Sequence, residues 1–218
     1  MSPFFPTFDE LPQTVPVFPL TGALLLPTGQ LPLNIFEPRY IAMVDDALAS
    51  NRLIAMVEPR EAGHAGPTVH TIACAGRITA LEETEDGRYL ITLHGICRLT
   101  LGLELPTTRG YRRFQAEWSG FAGDLREPGP IEIDRKRLAR ALERYFRHHG
   151  ISANWEAIEN TASNRLITSL AMICPFSALE KQALLEAPGL QERADMVLSL
   201  IEMACWSRQD DGGSGSRH

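Results

Sequence analysis

At about residue 120 the hydrophobic rhythm of this 218-residue chain changes, and no single kind of secondary structure satisfies both halves. Before that point the apolar residues come in short runs cut by Pro and Gly: "VPVFPL", "ALLLP", "LPLNIF", "RLIAMVE", "TIACAGRITAL", "RYLITLHGICRLTL" and "RRFQAEW". Runs of this length between turn formers predict strands. Asp86-Gly87 separates two of them and accepts the positive φ angles of a tight turn, which predicts an antiparallel hairpin. The stretch "GFAGDLREPGPIEID" reads as a linker from its Gly, Pro and charge content. Beyond it the period is helical. We therefore expect an α+β chain: a β domain over residues 13–120, a linker over 121–133, a helical bundle over 134–206 and a disordered tail over 207–218.

One segment of the first half breaks the strand rhythm. Tyr40, Met43, Val44, Ala47 and Leu48 fall at i, i+3, i+4, i+7 and i+8, the spacing of one helix face. In "PLNIFEPRY" a strand thus ends and a helix starts. Pro38 suits a first helical turn, where its missing N–H would have had no partner, and Glu37 before it faces the positive end of the helix dipole. Glu37 is expected to hold this corner together, with Arg39 or the strand residue Arg98 as its partner and Phe36 and Tyr40 packed below. In the second half Asp134 is a candidate N-cap and Gly150 a stop for "RKRLARALERYFRHHG", with Leu138, Leu142, Tyr145 and Phe146 inward. Helical periodicity resumes from about Trp155 and ends at Pro175, Ser177 and Glu180 have capping-box spacing, and a last amphipathic stretch follows Pro188-Gly189.

Composition narrows the function. A net charge of −6 leaves no overall basic field for phosphate backbones or anionic lipid. No apolar run approaches the ~20 residues of a membrane span. The amino terminus lacks a basic n-region, so a cytoplasmic location is expected. Cys74, Cys97, Cys174 and Cys205 form no C-x-x-C pair and read as reduced thiols.

Catalytic signatures are scarce. The chain has two lysines, Lys136 and Lys181, neither of which follows a glycine, which excludes a Walker A loop. Both read as surface residues and not as the base of a Ser-Lys pair. His148-His149 cannot chelate from one helix face, and His64 and His70, in what reads as a polar loop, lack a further ligand in metal spacing. No H-E-x-x-H or structured G-x-S-x-G occurs. We expect no metal, no cofactor and no catalytic residue. "GYRRF" interleaves aromatics and arginines as an RNA reader does, but alternate strand residues face opposite sides.

Residues 15–49, "VPVFPLTGALLLPTGQLPLNIFEPRYIAMVDDALA", resemble the amino-terminal substrate-binding domain of the Lon protease family through "FPL", "LLLP" and "LPLNIFEPRY". "GRITALEETEDGRYLITLHGICRL" is similar to the hairpin of that domain, with its D-G-R turn and following G-x-x-R. "SLAMICPFSALEKQALLEAPGLQERADMVLSLIEMA" is similar to its helical part. The resemblance implies a PUA-like, partly open β-barrel with one inserted helix, followed by a carboxyl-terminal helical bundle. In full-length Lon proteases the ATPase and Ser-Lys peptidase lie carboxyl-terminal to this region, so the resemblance implies a stand-alone, bacterial-type binding domain and not an enzyme. A partly uncovered sheet beside a helical bundle would form a groove for unfolded or misfolded polypeptide segments. Phe36, Tyr40 and Trp155 are candidate walls of that groove and Arg39 and Arg98 candidate polar anchors. An adaptor role in protein quality control, with an ATP-dependent protease as a further partner, is the leading expectation. RNA binding by a PUA-like fold is the alternative, and an unrecognised hydrolase ranks third. The apolar last helix admits a homodimer, a point the sequence leaves open.

Overall fold

The structure is a computed structural model that describes residues 5–63 and 66–206. The expected tail over 207–218 and His64 lie outside the described residues. Two compact units emerge, one of residues 1–128 with 177–186 and the other of residues 129–176 with 187–218.

The first unit is built on a six-stranded sheet. Its strands are β1 (Thr14–Pro19), β2 (Gln30–Ile35), β3 (Leu53–Val57), β6 (Ile72–Glu83), β7 (Tyr89–Leu105) and β8 (Arg112–Glu117), with α1 (Pro38–Leu48) between β2 and β3. The order is β2-β7-β6-β3-β1-β8, and β7 also pairs with β8. Strands β7, β6, β3, β1 and β8 thus close on themselves, while β2 stays outside the ring as an edge. The 17 residues of β7 make this possible. Its first part, residues 89–94, pairs with β2, and residues 100–105 pair with β8. The break between the two partners falls at Gly95, where Leu26 crosses: Thr28 N–H donates to Gly95 O at 2.9 Å and Gly95 N–H to Gly29 O at 2.8 Å. A Cβ on Gly95 would stand 1.9 Å from Leu26 O, so the crossing requires glycine.

Burial explains the sheet's composition. Val15, Val17, Leu53, Ala55, Val57, Ala73, Ala75, Leu99 and Phe114 fill the barrel, with small residues where strands approach closely. The run "ALLLP", expected as a strand, instead buries Leu24, Leu25 and Leu26 in an irregular segment, because the crossing over Gly95 spends its backbone bonds elsewhere. The region expected as a polar loop forms a separate hairpin, β4 (Pro59–Gly63) with β5 (Gly66–Val69). Gly87, at φ +80°, makes the turn between β6 and β7 that Asp86-Gly87 predicts.

Two boundaries differ from the sequence reading. Part of the expected linker is a 3-10 segment, Ser119–Leu125, whose Phe121 and Leu125 pack on the barrel core. Further, α5 (Ala178–Glu186) belongs to the first unit and not with the other helices. Lys181, expected at the surface, donates from Nζ to Gly22 O, and the buried Gln182 donates to Ile72 O at 3.3 Å. Its Ser177–Glu180 capping box is formed, with Ser177 N–H donating to Glu180 Oε2 at 2.7 Å.

The second unit contains α2 (Arg135–His149), α3 (Trp155–Asn160), α4 (Ser163–Ile173) and α6 (Leu190–Trp206). Asp134 caps α2 by accepting from Arg137 N–H at 2.9 Å, and Gly150 ends it at φ +64°. The helical stretch from Trp155 is broken at Thr161-Ala162, where Arg135 Nη2 reaches back to the carbonyls of Ile158, Glu159 and Thr161.

Candidate functional site

Strand alternation and the registers of β2, β7 and β6 place two cross-strand rows on one face of the sheet's open end. Pro32, Thr92 and Ala80 form one row, and Asn34, Leu90 and Glu82 the next. Beyond the strand ends Phe36 continues the pattern, with the Arg88 guanidinium 5.9 Å from its ring centroid. These rows line a shallow open concavity of about 500 Å³. Phe36 is 63 % exposed and Leu90 40 % exposed, although both are large apolar side chains. Large aromatics beside strand ends ordinarily pack inward, so the solvent-facing Phe36 makes this face a candidate binding surface, although Leu103, Ile173, Leu179 and Met203 elsewhere are at least as exposed. At the other end His94, one row past Thr92, carries Phe5 against its ring at 4.9 Å, and burial pulls the His94 pKa down.

The opposite face is structural along β2 and β7, while Leu81 on β6 stays as exposed there as Leu90 is here. Ile35, Ile91 and Leu93 are buried there, as are Tyr40, Met43, Val44 and Ala47 along α1. Tyr89 OH donates to Asp45 Oδ1 on α1 at 3.1 Å, and the same bond lifts the tyrosine pKa.

The free edge of β2 is guarded. The bond from Gly95 N–H to Gly29 O fixes the alternation of the β2–β7 ladder, so the backbone groups of Gln30, Pro32 and Asn34 face outward. Pro32 has no N–H, and the outward row of donors is interrupted at its centre.

The residues singled out from the sequence fall in different places. Phe36, just past the end of β2, is exposed without lining the concavity, and none of the other four lines it. Arg39 pairs with Glu37 at 2.7 Å and lies over the Tyr40 ring at 4.5 Å, which holds the strand-to-helix corner. Tyr40, expected as a groove wall, is buried against Phe18 with ring centroids 4.2 Å apart, and burial raises its pKa. Arg98, expected as an anchor, is 4 % exposed. It holds Asp124 through Nε at 2.8 Å and Nη2 at 2.9 Å, donates to Leu185 O on α5 at 3.1 Å, and stacks on Phe121 at 4.6 Å. Its charge is consumed by the fold. Trp155 belongs to the second unit and is exposed, with its ring 5.9 Å from that of Phe146. Sequence reading missed Pro32, Ala80, Glu82 and Leu90. The Asp86-Gly87 turn carried an incomplete signal: the loop that forms is closed by Thr84 and Arg88 and sets Glu82 opposite Leu90, whereas a two-residue turn at Asp86-Gly87 would set Glu82 opposite Ile91.

The "GYRRF" stretch has its polar groups occupied. Tyr111 OH donates to Asp46 at 2.8 Å, Arg112 makes two bonds to Glu104 at 2.7 and 2.6 Å, Arg113 donates to Thr14 at 2.7 Å, and Phe114 is buried. The Arg112 bonds hold the Glu104 carboxyl below its ordinary range. Cys97 is buried, which pushes its thiol up to about 12 and leaves it protonated and inert. Among the described residues no group of three or more His, Cys, Asp or Glu is placed to hold a metal ion, and no helix is long and apolar enough to cross a membrane.

Comparison with known proteins gives one consistent answer. Residues 14–203 match the family described as the ATP-dependent protease La (LON) substrate-binding domain. Lon protease 2 of Myxococcus xanthus is 27 % identical over 199 residues, which cover 88 % of this chain and 24 % of that protein. A Lon protease of Salinispora arenicola is 30 % identical over 194 residues, covering 86 % of this chain and 23 % of that protein. The chain thus spans about a quarter of the length of the curated relatives it matches. Among solved structures, a Lon N-terminal domain protein from Xanthomonas campestris superposes with a TM-score of 0.61 at 20 % identity, covering 85 % of this chain and 97 % of that one. The N-terminal domain of the Mycobacterium avium complex Lon protease gives 0.58 at 16 % identity, with coverages of 86 % and 97 %.

Proposed function

Because the chain belongs to the Lon substrate-binding domain family, we propose that it binds exposed apolar segments of unfolded polypeptides on the open face formed by β2, β7 and β6. The observation that carries this reading is the solvent-facing pair Phe36 and Leu90 beside a concavity. Water released from such a surface favours association with another apolar surface, at about 25 cal/mol per Å² of apolar area covered. An extended segment lying across the face would set alternate side chains, about 7 Å apart, against successive rows of the sheet. Addition to the β2 edge is the poorer mode, since Pro32 removes the central donor that strand addition uses.

The role that fits is non-catalytic: a cytoplasmic adaptor that holds unfolded segments in protein quality control and presents them to an ATP-dependent protease. The residues on the binding face are apolar, amide, hydroxyl, carboxylate and guanidinium groups, and among the described residues no side-chain hydrogen bond joins the Thr92 hydroxyl to a base. RNA binding finds less support, because the arginines of "GYRRF" are engaged by Glu104 and Thr14. Titration of the protein with a fluorescently labelled, permanently unfolded polypeptide should saturate, and Phe36→Ser with Leu90→Ser should abolish that binding while the fold survives. Undiminished binding by the double variant would remove this face from consideration.

A further inference from the structure

The charges at the open face are unequal in their freedom. Arg88, beside Phe36, pairs with Asp86 at 2.8 Å, and Asp86 also accepts from the Thr84 hydroxyl, so the guanidinium is neutralised within the turn. Glu82 stands across from Leu90 and lines the concavity, is exposed, and forms no ion pair or side-chain hydrogen bond among the described residues. Glu85, exposed in the adjoining turn, adds a second carboxylate. None of the other residues that line the concavity carries a charge. The result is an apolar floor with an unneutralised negative rim on the β6 side.

We propose that this face selects among unfolded segments for those whose apolar residues are flanked by Lys or Arg, with the flanking cation placed at Glu82. The proposal rests on the polypeptide-binding reading above and adds a chemical class to it. An apolar side chain on Leu90 leaves its sequence neighbours within reach of Glu82, which stands in the same cross-strand row. A cation there gains a carboxylate partner at little cost, because its aliphatic stem covers apolar surface while its head stays in water. An acidic flank would face repulsion from the same carboxylate. Discrimination by one exposed ion pair is modest, about fivefold at low salt, and weakens as salt screens it.

The test uses labelled peptides with Leu at alternate positions and identical backbones, flanked by Lys, Gln or Glu, followed by fluorescence anisotropy. The Lys peptide should bind about fivefold more tightly than the Gln peptide and the Glu peptide more weakly still, with the spread shrinking as salt is raised. Glu82→Lys should invert the order, and Leu90→Ser should weaken all three, while both variants keep the wild-type circular dichroism and melting transition. Equal binding of the three peptides that is still lost in Leu90→Ser would overturn the charge preference and leave the polypeptide-binding reading standing. Binding that ignores both variants would move the site elsewhere and overturn the preference as well. Failure of every peptide, together with failure of an unfolded protein to bind, would overturn both. Preferential capture of labelled single-stranded RNA through this face, or a self-association in sedimentation that Phe36→Ser abolishes, would also overturn it.

Discussion

The two ends of β7 treat charge differently, although each leaves one leucine in water, Leu103 at 66 % and Leu90 at 40 % exposure. At the closed end, residues 95–105, a charged side chain is buried: Arg98 is enclosed by Asp124, Leu185 O and the Phe121 ring. At the open end, residues 89–94 and their neighbours in β2, apolar side chains are exposed: Phe36 and Leu90 face water. The buried arginine is tolerated because its donors have partners, and it joins the barrel to the 3-10 segment and to α5. The exposed phenylalanine has no such structural account. The contrast teaches that residue type alone assigns neither role: a buried charge can belong to the scaffold, and an exposed aromatic to the site.

The largest effect that bears on this contrast is expected at Arg98. Arg98→Ala leaves the partly buried Asp124 without its counter-ion and should cost about 3 kcal/mol in chemical denaturation. Arg98→Met combined with Asp124→Leu should restore most of the loss, since removal of both charges also removes the need to solvate either. If Arg98→Ala were as stable as the wild type and instead lost polypeptide binding, the division between the two ends would fail.

Next is the point where the two ends meet. Gly95→Ala drives a methyl into the Leu26 carbonyl and should cost about 3 kcal/mol, read as a lowered denaturant midpoint. Stability equal to the wild type would show that the backbone crossing at Gly95 is looser than its 1.9 Å approach implies.

A smaller, pH-dependent effect is expected at His94. Burial depresses its pKa, so the folded state binds the proton less readily than the unfolded chain. The neutral ring's contribution is complete above the ordinary histidine pKa of about 6.5 and is lost as pH falls through the depressed folded value. His94→Gln should therefore flatten the fall in melting temperature on acidification below about pH 6.5. An unchanged acid limb would place the sensitivity on carboxylates.

The smallest effect on stability belongs to the open face. Phe36→Ser and Leu90→Ser should each alter unfolding free energy by within about 0.5 kcal/mol, because each side chain already meets water. A loss of several kcal/mol would show that these side chains support the fold, and would erase the contrast from which the site is read.

Some of this was legible in the sequence. The corner at Glu37, Pro38 and Arg39 forms as its residues predict, with Pro38 opening α1 and Glu37 paired to Arg39, but Phe36, expected to pack below it with Tyr40, is exposed. The site was legible only in part. Phe36 was singled out, yet Tyr40, four residues on and equally aromatic, is buried against Phe18, because helical rotation turns it toward the barrel while Phe36 precedes the helix. Arg98 reads in the sequence as a polar anchor or as a partner of Glu37. Asp124, its partner, lies 26 residues away in a stretch that reads as a linker.

What the sequence by itself determined were the events confined to a few residues: the Asp134 cap and Gly150 stop of α2, the capping box at Ser177, and the turn at Gly87. Each depends on a local φ angle or on a bond spanning three or four positions, so the residue type suffices. The tertiary structure alone decided that β7 would serve β2 and β8 in turn, that Leu26 would cross at Gly95, and that α5 would join the first unit. Those outcomes depend on which apolar faces and polar groups, far apart in the chain, are buried against one another. Many pairings satisfy the local pattern equally, and only the packed whole selects among them.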